Sequence, residues 1–560
     1  MTIKAELQQQ VAAWLAVDPD PATWAQLSEL TNRAANGDAD ATTELESAFA
    51  GPLTFGTAGL RAALGAGPAR MNRVVVTQAA AGFAAWLTAK GLLGGKVLIG
   101  YDARHNSDVF ARDTAEVLAG AGFQALLTAA PTPTPVVAFG IKHFGCVAAV
   151  VVTASHNPAA DNGYKVYLGD GSQIIPPTDT EIASAIAIVA AHPLSDIPHS
   201  AAYSLVGSEL VDAYSARVAQ LVNPTPDVEI PGIANLKWAY TPMHGVGGHV
   251  IRQVAAQIGF PTAAVVAAQA QPDPDFPTVA FPNPEEPGAM DMVIALAQET
   301  GADIAVATDP DADRCAVAAP IAGVWRRLTG DELGALLGDY VIRRGTPGRF
   351  ANSLVSGTLL SDIAAANGRE FRTTLTGFKW IGRVPDLAFG YEEAIGYCCD
   401  SHFTPDKDGI SASLLVLRLV SELKAAGMTI ADRLDEIERT YGVHSTTQVS
   451  IRVRDLSLIA QLMANLRANP PATLGGEPVQ VTDLSAPGGA LPPTDGVEFT
   501  GASIHAVARP SGTEPKLKCY LEARRPVSES KADLVAARAA AKVTLDALWT
   551  DLAQALGYQE

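Results

Sequence analysis

The chain has 560 residues, 48% of them hydrophobic and 18% charged, with a formal net charge of −19. At about 150 residues per domain that is three or four globular domains with apolar material for several cores, which excludes disorder over most of the length. An acidic chain repels polyanions, so nucleic acid is excluded as a default partner, and an anionic ligand must be held by local Arg and Lys clusters. Five Cys without a C-x-x-C pair exclude a disulfide scaffold and predict reduced thiols in a cytoplasmic protein. The N-terminal stretch lacks the basic region and cleavage site of a signal peptide. No apolar run reaches the roughly 18 residues of a membrane span; Ala79 to Leu93 comes nearest and is broken by Lys90, so no membrane partner is expected.

In chain order, Leu7, Val11, Trp14 and Leu15, then Trp24, Leu27 and Leu30, recur at helical spacing, so the first fifty residues read as helices. Phe55 to Arg61, FGTAGLR, places two glycines and Arg61 in a turn suited to a phosphate. From there short β runs alternate with amphipathic helices, the pattern of α/β layers. Three segments, starting at Lys96, Lys237 and Phe350, share one layout of strand, polar or Gly-bearing turn, and helix, which predicts repeated domains. Pro-rich stretches at 223–231 and 271–277 read as loops. After Gly442 the pattern changes: TTQVSIRVRD alternates as a strand, a helix follows to Ala468, and AVARPSGTEPKLKCYLEARR holds two strands around a loop, a smaller α+β unit.

Four places carry chemistry. The β run from Cys146 delivers Ser155, His156 and Asn157 to a loop closed by Pro158, at the strand end where α/β proteins bind ligands. Ser155 is a candidate nucleophile or phosphate carrier, although a turn that merely ends a strand has the same composition. Asn162-Gly163-Tyr164-Lys165 reads as a turn that returns Lys165 towards Ser155. A second β run ends in Asp309, Asp311 and Asp313; alternate residues of an extended loop point the same way, and three convergent carboxylates call for a hard divalent cation, Mg²⁺ foremost. The positions of an EF-hand Gly and Glu are taken by Arg314 and Pro320, and Arg314 is placed to contact a phosphate oxygen. LTGFKWIG from Leu375, which holds Thr376, Gly377 and Lys379, leads on to YEEAIGY from Tyr391, whose paired Glu392 and Glu393 beside an aromatic suit sugar hydroxyls or are solvated loop acids. RPSGTEPK offers Arg509, Ser511, Gly512, Thr513 and Lys516 as an anion nest, or is a plain hairpin turn.

TASHNP, DPDADR and RPSGTEPK in this order resemble the α-D-phosphohexomutase superfamily of phosphoglucomutases and phosphomannomutases, from Gly56 to about Arg524. The resemblance implies an α/β fold: three similar α/β domains plus a smaller C-terminal α+β domain around a central cleft. The expected domains are 1–205, with the N-terminal helices and phosphoserine loop; 206–325, with the metal loop; 326–442, with the sugar loop; and 443–560, binding phosphate. It implies that Ser155 carries phosphate, and that Asp309, Asp311 and Asp313 hold Mg²⁺ together with a Ser155 phosphate oxygen. Arg61, His156 and Lys165 would surround the transferring group, Lys165 handling the proton. Lys379 and Glu392 would grip the sugar, and Arg509, Ser511, Gly512 and Thr513 its distal phosphate. The implied activity moves phosphate between the 1 and 6 positions of a hexose through a sugar bisphosphate, which also serves as activator.

One departure bears on the substrate: where the superfamily's sugar loop resembles Gly-Glu-x-Ser, this chain has Ala394 and lacks the hydroxyl. GFKWIG, EEAIGY and GTAGLR are most similar to the branch with phosphopentomutase and glucose 1,6-bisphosphate synthase, which keeps a 1-to-5 transfer on ribose as an alternative. A metal-dependent sugar phosphatase would share Ser155 and the acids without needing RPSGTEPK, and a non-catalytic sugar-phosphate binder would need neither Ser155 nor the acids.

Overall fold

The computed structural model describes residues 4–54, 59–453, 456–511, 516–528 and 531–558. They form two compact units, Met1–Val228 with Lys237–Cys315 and Phe403–Leu414, and Glu229–Leu236 with Ala316–His402 and Leu415–Glu560.

The first unit opens with the expected helices, Ala5–Leu15, Pro21–Ala35 and Ala39–Ala48. Asp20 and Asp38 cap the second and third, accepting from backbone N–H groups that have no partner inside a helix. Their apolar stripes meet in a small core of Leu7, Val11, Leu27, Leu30 and Leu45. A six-stranded sheet follows, in the spatial order Leu60–Ala63, Asp161–Leu168, Ala148–Val152, Lys96–Tyr101, Gln124–Thr128, Ser204–Val206. Asp161–Leu168 alone runs against the others, antiparallel to both of its neighbours, Leu60–Ala63 and Ala148–Val152. Ala148–Val152 is buried at every position, the pattern of a strand covered on both faces.

The repeated layout has a structural counterpart. Strand Lys96–Tyr101 lies between two parallel neighbours. Trp238–Thr241 lies between parallel strands Ala264–Val265 and Ile304–Thr308. In the second unit Arg349–Ser353 lies between parallel strands Phe371–Thr374 and Leu387–Glu392. Each of the three then feeds a helix, Ser107–Gly120, Gly247–Ile258 and Leu359–Ala366. The fold is α/β, three such domains and a smaller fourth. The fourth is a five-stranded antiparallel sheet with Lys516–Arg525 between Val443–Arg452 and Ile504–Pro510. Helices Leu456–Ala468 and Lys531–Leu556 close its core over Phe499, Leu517 and Leu548. All five cysteines are buried thiols outside any disulfide, and no helix among the described residues is long and apolar enough to cross a membrane.

One local expectation is corrected. Asn162 to Lys165 is not a turn but the first half of strand Asp161–Leu168, with Lys165 opposite Val151. The reversal happens earlier, between Ser155 and Ala160. Asn-Gly is a turn signal only while no ladder competes, and here Gly163 and Asn162 are paired with Arg61 and Ala62.

Close approach fixes one glycine in the second unit. Gly330 starts helix Gly330–Arg343, and a Cβ there would lie 1.8 Å from the Glu393 carbonyl oxygen. Gly330→Ala is therefore expected to destabilise the second unit by about 1–3 kcal/mol, read as a lower melting temperature; an unchanged melting temperature would contradict that packing.

Candidate active site

Thr153 follows strand Ala148–Val152, and Ser155, two residues further on, lies in the left-handed region with φ 52°. Ser155 is 3% exposed. Its N–H donates to Thr153 Oγ1 at 2.8 Å and its Oγ donates to Asp309 Oδ2 at 2.8 Å. His156 Nδ1 lies 3.2 Å from the same Oγ. Burial first, then the positive charges of Arg314 and Arg61, push His156 well below the usual imidazole range, so it is neutral. Arg61 donates from Nη1 to Asn157 Oδ1 at 2.8 Å, and its buried Nε has no hydrogen-bond partner among the described residues. Phe55 to Ala58, the first part of the Arg61 motif, lie outside the described residues.

Asp309, Asp311 and Asp313 are fully buried, and one carboxylate oxygen from each lies within 4.8 Å of the others. They converge through a turn, not the extended loop expected: Ala312 N–H donates to the Asp309 carbonyl at 2.9 Å and Ala312 has φ 57°. Arg314 N–H donates to Asp309 Oδ1 at 3.0 Å, and the Arg314 guanidinium sits between Asp313 and Glu285. Lys165 donates to Asp311 Oδ2 at 2.7 Å and Asp313 Oδ2 at 3.0 Å. Lys407 lies 3.2 Å from Asp313 and 3.7 Å from Asp406. Thr134 donates its hydroxyl to Asp311 Oδ2 at 2.7 Å.

Burial opposes every charge in this cluster, so its members sort by their neighbours. Burial, with Asp311 and Asp313 as like charges, holds Asp309 well above the carboxylate range. Against the same burial, Lys165, Lys407 and Arg314 hold Asp313 below it. Asp311 Oδ1 and Asp313 Oδ1 are buried and accept no hydrogen bond from a described residue. Unpartnered carboxylate oxygens beside a third acid are the donor set of a hard divalent cation, so the residues fit Mg²⁺. With its ammonium committed to two carboxylates, Lys165 is placed to neutralise charge; the His156 imidazole places a ring nitrogen beside the Ser155 oxygen.

Of the expected site residues, Ser155, His156, Arg61, Lys165, Arg314 and the three acids gather in the first unit. The other described ones lie in the second. Gly377, at φ 115°, donates its N–H to Glu392 Oε1 at 2.7 Å. The Lys379 side chain runs past it, within 3.4 Å of where a Gly377 Cβ would stand. The buried Thr376 Oγ1 has no hydrogen-bond partner among the described residues. Beside Ala394, Glu393 Oε2 accepts from the hydroxyls of Ser353 at 3.0 Å and Ser356 at 3.1 Å. Ser511 N–H donates to the Lys516 carbonyl at 2.8 Å, closing the mouth of the last loop, and the buried Arg509 Nε has no hydrogen-bond partner among the described residues. Gly512 and Thr513 lie outside the described residues.

Sequence reasoning missed Lys407, Thr134 and Glu285. The first had a visible signal, a lysine flanked by acids in Pro405-Asp-Lys-Asp-Gly409 just before helix Gly409–Ala425. The other two act only through tertiary contact.

Two expectations follow. Mg²⁺ at about 100 times its dissociation constant raises stability by about 2.7 kcal/mol, seen as a higher melting temperature that Asp311→Asn largely abolishes; equal melting with Mg²⁺ and with a chelator contradicts the cation site. In the second unit, burial pushes the Asp331 carboxyl up to about 7, even though Gly357 N–H and Tyr391 O–H donate to it. The folded chain then holds a proton that the unfolded chain releases near pH 4, so this contribution to stability is lost as pH rises from about 4 to 7. Asp331→Asn, which keeps the acceptor oxygen, should flatten that dependence and melt higher than the parent at pH 8; a lower melting temperature at pH 8 would contradict it.

Comparison with known proteins agrees with this geometry. Residues 52–191, 212–320 and 329–441 match the α/β/α domains I, II and III of phosphoglucomutase/phosphomannomutase, and 451–542 match its C-terminal domain. The chain is 48% identical to a Haemophilus influenzae protein named "Probable phosphomannomutase", over 81% of this chain and 93% of that one. It is 36% identical to the phosphopentomutase of Mus musculus, over 94% of this chain and 92% of that one. In fold it is similar to the Paramecium phosphoprotein parafusin, a phosphoglucomutase, with a TM-score of 0.70 at 18% identity, over 90% of this chain and 96% of that one. The chain belongs to the phosphoglucomutase/phosphomannomutase family of the α-D-phosphohexomutase superfamily, isomerases that transfer phosphate within one substrate.

Proposed function

We propose that this mutase moves phosphate between the 1 and 6 positions of a hexose, with Ser155 as the phosphate carrier and a sugar bisphosphate as intermediate and activator. The observation that carries the reading is Ser155 Oγ on Asp309, 2.8 Å away, at the edge of a buried acid cluster paired with Lys165 and Lys407. Phosphoryl transfer is mainly positioning and charge neutralisation, and this is where both would be supplied.

In the forward step the P–Oγ bond of phospho-Ser155 breaks and a P–O bond to the free sugar hydroxyl forms. The hydroxyl proton leaves to a neighbouring base while the Ser155 oxygen released by P–Oγ cleavage takes up a proton and becomes the free serine hydroxyl; the His156 imidazole lies 3.2 Å from that oxygen. Lys165, Lys407 and Arg314 keep positive charge beside the group in transit, and Arg61 adds its guanidinium. Held by Asp309, Asp311, Asp313 and Ser155, Mg²⁺ would polarise the phosphoryl oxygens as a Lewis acid. Lys379, Glu392, Thr376 and Gly377 are assigned to the sugar. Arg509, Ser511 and Lys516, with Gly512 and Thr513, are assigned to the phosphate that does not react. The bisphosphate then turns round, the other phosphate passes to Ser155, and the isomer leaves. The four family matches fall inside the bounds 1–205, 206–325, 326–442 and 443–560, which we propose as the working domains.

A second reading, 1-to-5 transfer on a pentose, is favoured by Ala394 and by the relatives named phosphopentomutase in Mus musculus and "Probable phosphoribomutase" in Schizosaccharomyces pombe, each 36% identical. A buried hydroxyl donor contributes on the order of 1 kcal/mol, enough to shift preference between sugars.

Ser155→Ala should lower mutase kcat to below about a thousandth; a rate near the parent's rejects Ser155 as carrier. On glucose 1-phosphate, mannose 1-phosphate and ribose 1-phosphate, with Mg²⁺ and a catalytic bisphosphate, the highest kcat/KM is expected on a hexose. Ribose 1-phosphate as best substrate selects the pentose reading, and release of inorganic phosphate without isomer selects a phosphatase.

A further inference from the structure

Arg104, at the turn after strand Lys96–Tyr101, is buried at 4% exposure, yet the chemistry above makes no use of it. Its guanidinium is spent on the backbone of the Ser155 loop. Nη2 donates to the carbonyls of Ser155 at 2.7 Å and Asn157 at 2.5 Å. Nη1 donates to those of Pro158 at 2.7 Å and Asp161 at 3.1 Å. One planar fork thus gathers four carbonyls of the reversal that carries the nucleophile.

The fork is itself braced. Asp102 Oδ2 lies 3.4 Å from Arg104 Nε, and its Oδ1 accepts from Arg104 N–H at 3.0 Å and Ser107 O–H at 2.7 Å. Asp102 Oδ2 also accepts from the Thr153 hydroxyl at 2.6 Å, and that hydroxyl oxygen accepts from Ser155 N–H at 2.8 Å. The Phe276 ring covers the guanidinium at 4.9 Å. Ser155 is therefore held at its N–H through Thr153 and Asp102, and at its carbonyl through Arg104. A non-glycine residue in the left-handed region costs on the order of 1–3 kcal/mol and persists only where its surroundings over-determine it. Both arms of the brace meet at that strained residue.

We propose that Arg104 is a positioning residue for phosphoryl transfer, holding Ser155 Oγ in line with the acid cluster by fixing the Ser155–Asp161 backbone. This rests on the reading of Ser155 as phosphate carrier. Lysine offers a point charge on a flexible stem and cannot reproduce a fork to four carbonyls. A nucleophile misplaced by about 1 Å loses on the order of a hundredfold in rate.

The test is the rate at which glucose 1,6-bisphosphate, with Mg²⁺, phosphorylates Ser155, followed by mass spectrometry in the full chain, alongside steady-state kcat and KM. Arg104→Lys should lower the phosphorylation rate and kcat by about a hundredfold while KM changes by less than about threefold, because no substrate contact is lost. Methylguanidinium should restore part of the rate of Arg104→Ala and none of that of Ser155→Ala. Should Arg104→Ala fail to fold, Thr153→Val breaks the other arm of the brace and should also slow phosphorylation at unchanged KM. A parent enzyme phosphorylated on Ser155, with Arg104→Lys matching its rate, overturns the role of Arg104 alone. A parent never phosphorylated on Ser155 overturns the carrier reading, and this inference with it.

Discussion

Three carboxylates buried within reach of one another cannot all be charged unless positive charge stands among them. Asp309, Asp311 and Asp313 are in that position, and much of the first unit answers to it. Lys165 comes from the strand that turns back along Ala148–Val152, Lys407 from the segment before helix Gly409–Ala425, and Arg314 from the next position in the chain. Each of these cations is costly to bury alone, and each is tolerable because the acids are there. Two carboxylate oxygens still lack a partner among the described residues, and that remainder fits a divalent cation. Ser155 is tied to the same cluster through Asp309, so the group that would carry phosphate and the charges that would stabilise it are set by one balance.

The second unit has different business. Its loops offer a glycine N–H held on Glu392, a lysine that lies against that glycine, and a basic turn closed by Ser511 and Lys516. These are the residues that the proposed function assigns to the sugar and to its distal phosphate. Near Ala394 the hydroxyls of Ser353 and Ser356 converge on Glu393, so polar character persists where the superfamily's serine is absent.

Much of this was legible in the sequence because its signals are local. Helical spacing in the first fifty residues, the buried run before Ser155 and the altered pattern after Gly442 each reflect one element's own periodicity. The acid cluster was legible in kind, since Asp-x-Asp-x-Asp after a β run has few other uses. Its geometry was not, because a left-handed Ala312 folds the segment into a turn that alternation along the chain does not reveal. Asn162-Gly163 carried a strong turn signal that pairing with Arg61 and Ala62 overrode. Arg104 and Lys407 were overlooked for a common reason: each acts on residues distant in the chain, Arg104 on the Ser155 loop and Lys407 on Asp313.

The central claim, that Ser155 relays phosphate from one position of a sugar to another, is open to a direct pulse–chase. The protein is labelled with a radioactive sugar bisphosphate, the labelled peptide is identified, and unlabelled sugar monophosphate is added. The account predicts label on the peptide that contains Ser155 and its transfer on the chase into sugar phosphate, at a rate no slower than turnover. Label on another residue, or label leaving Ser155 as inorganic phosphate, would contradict it.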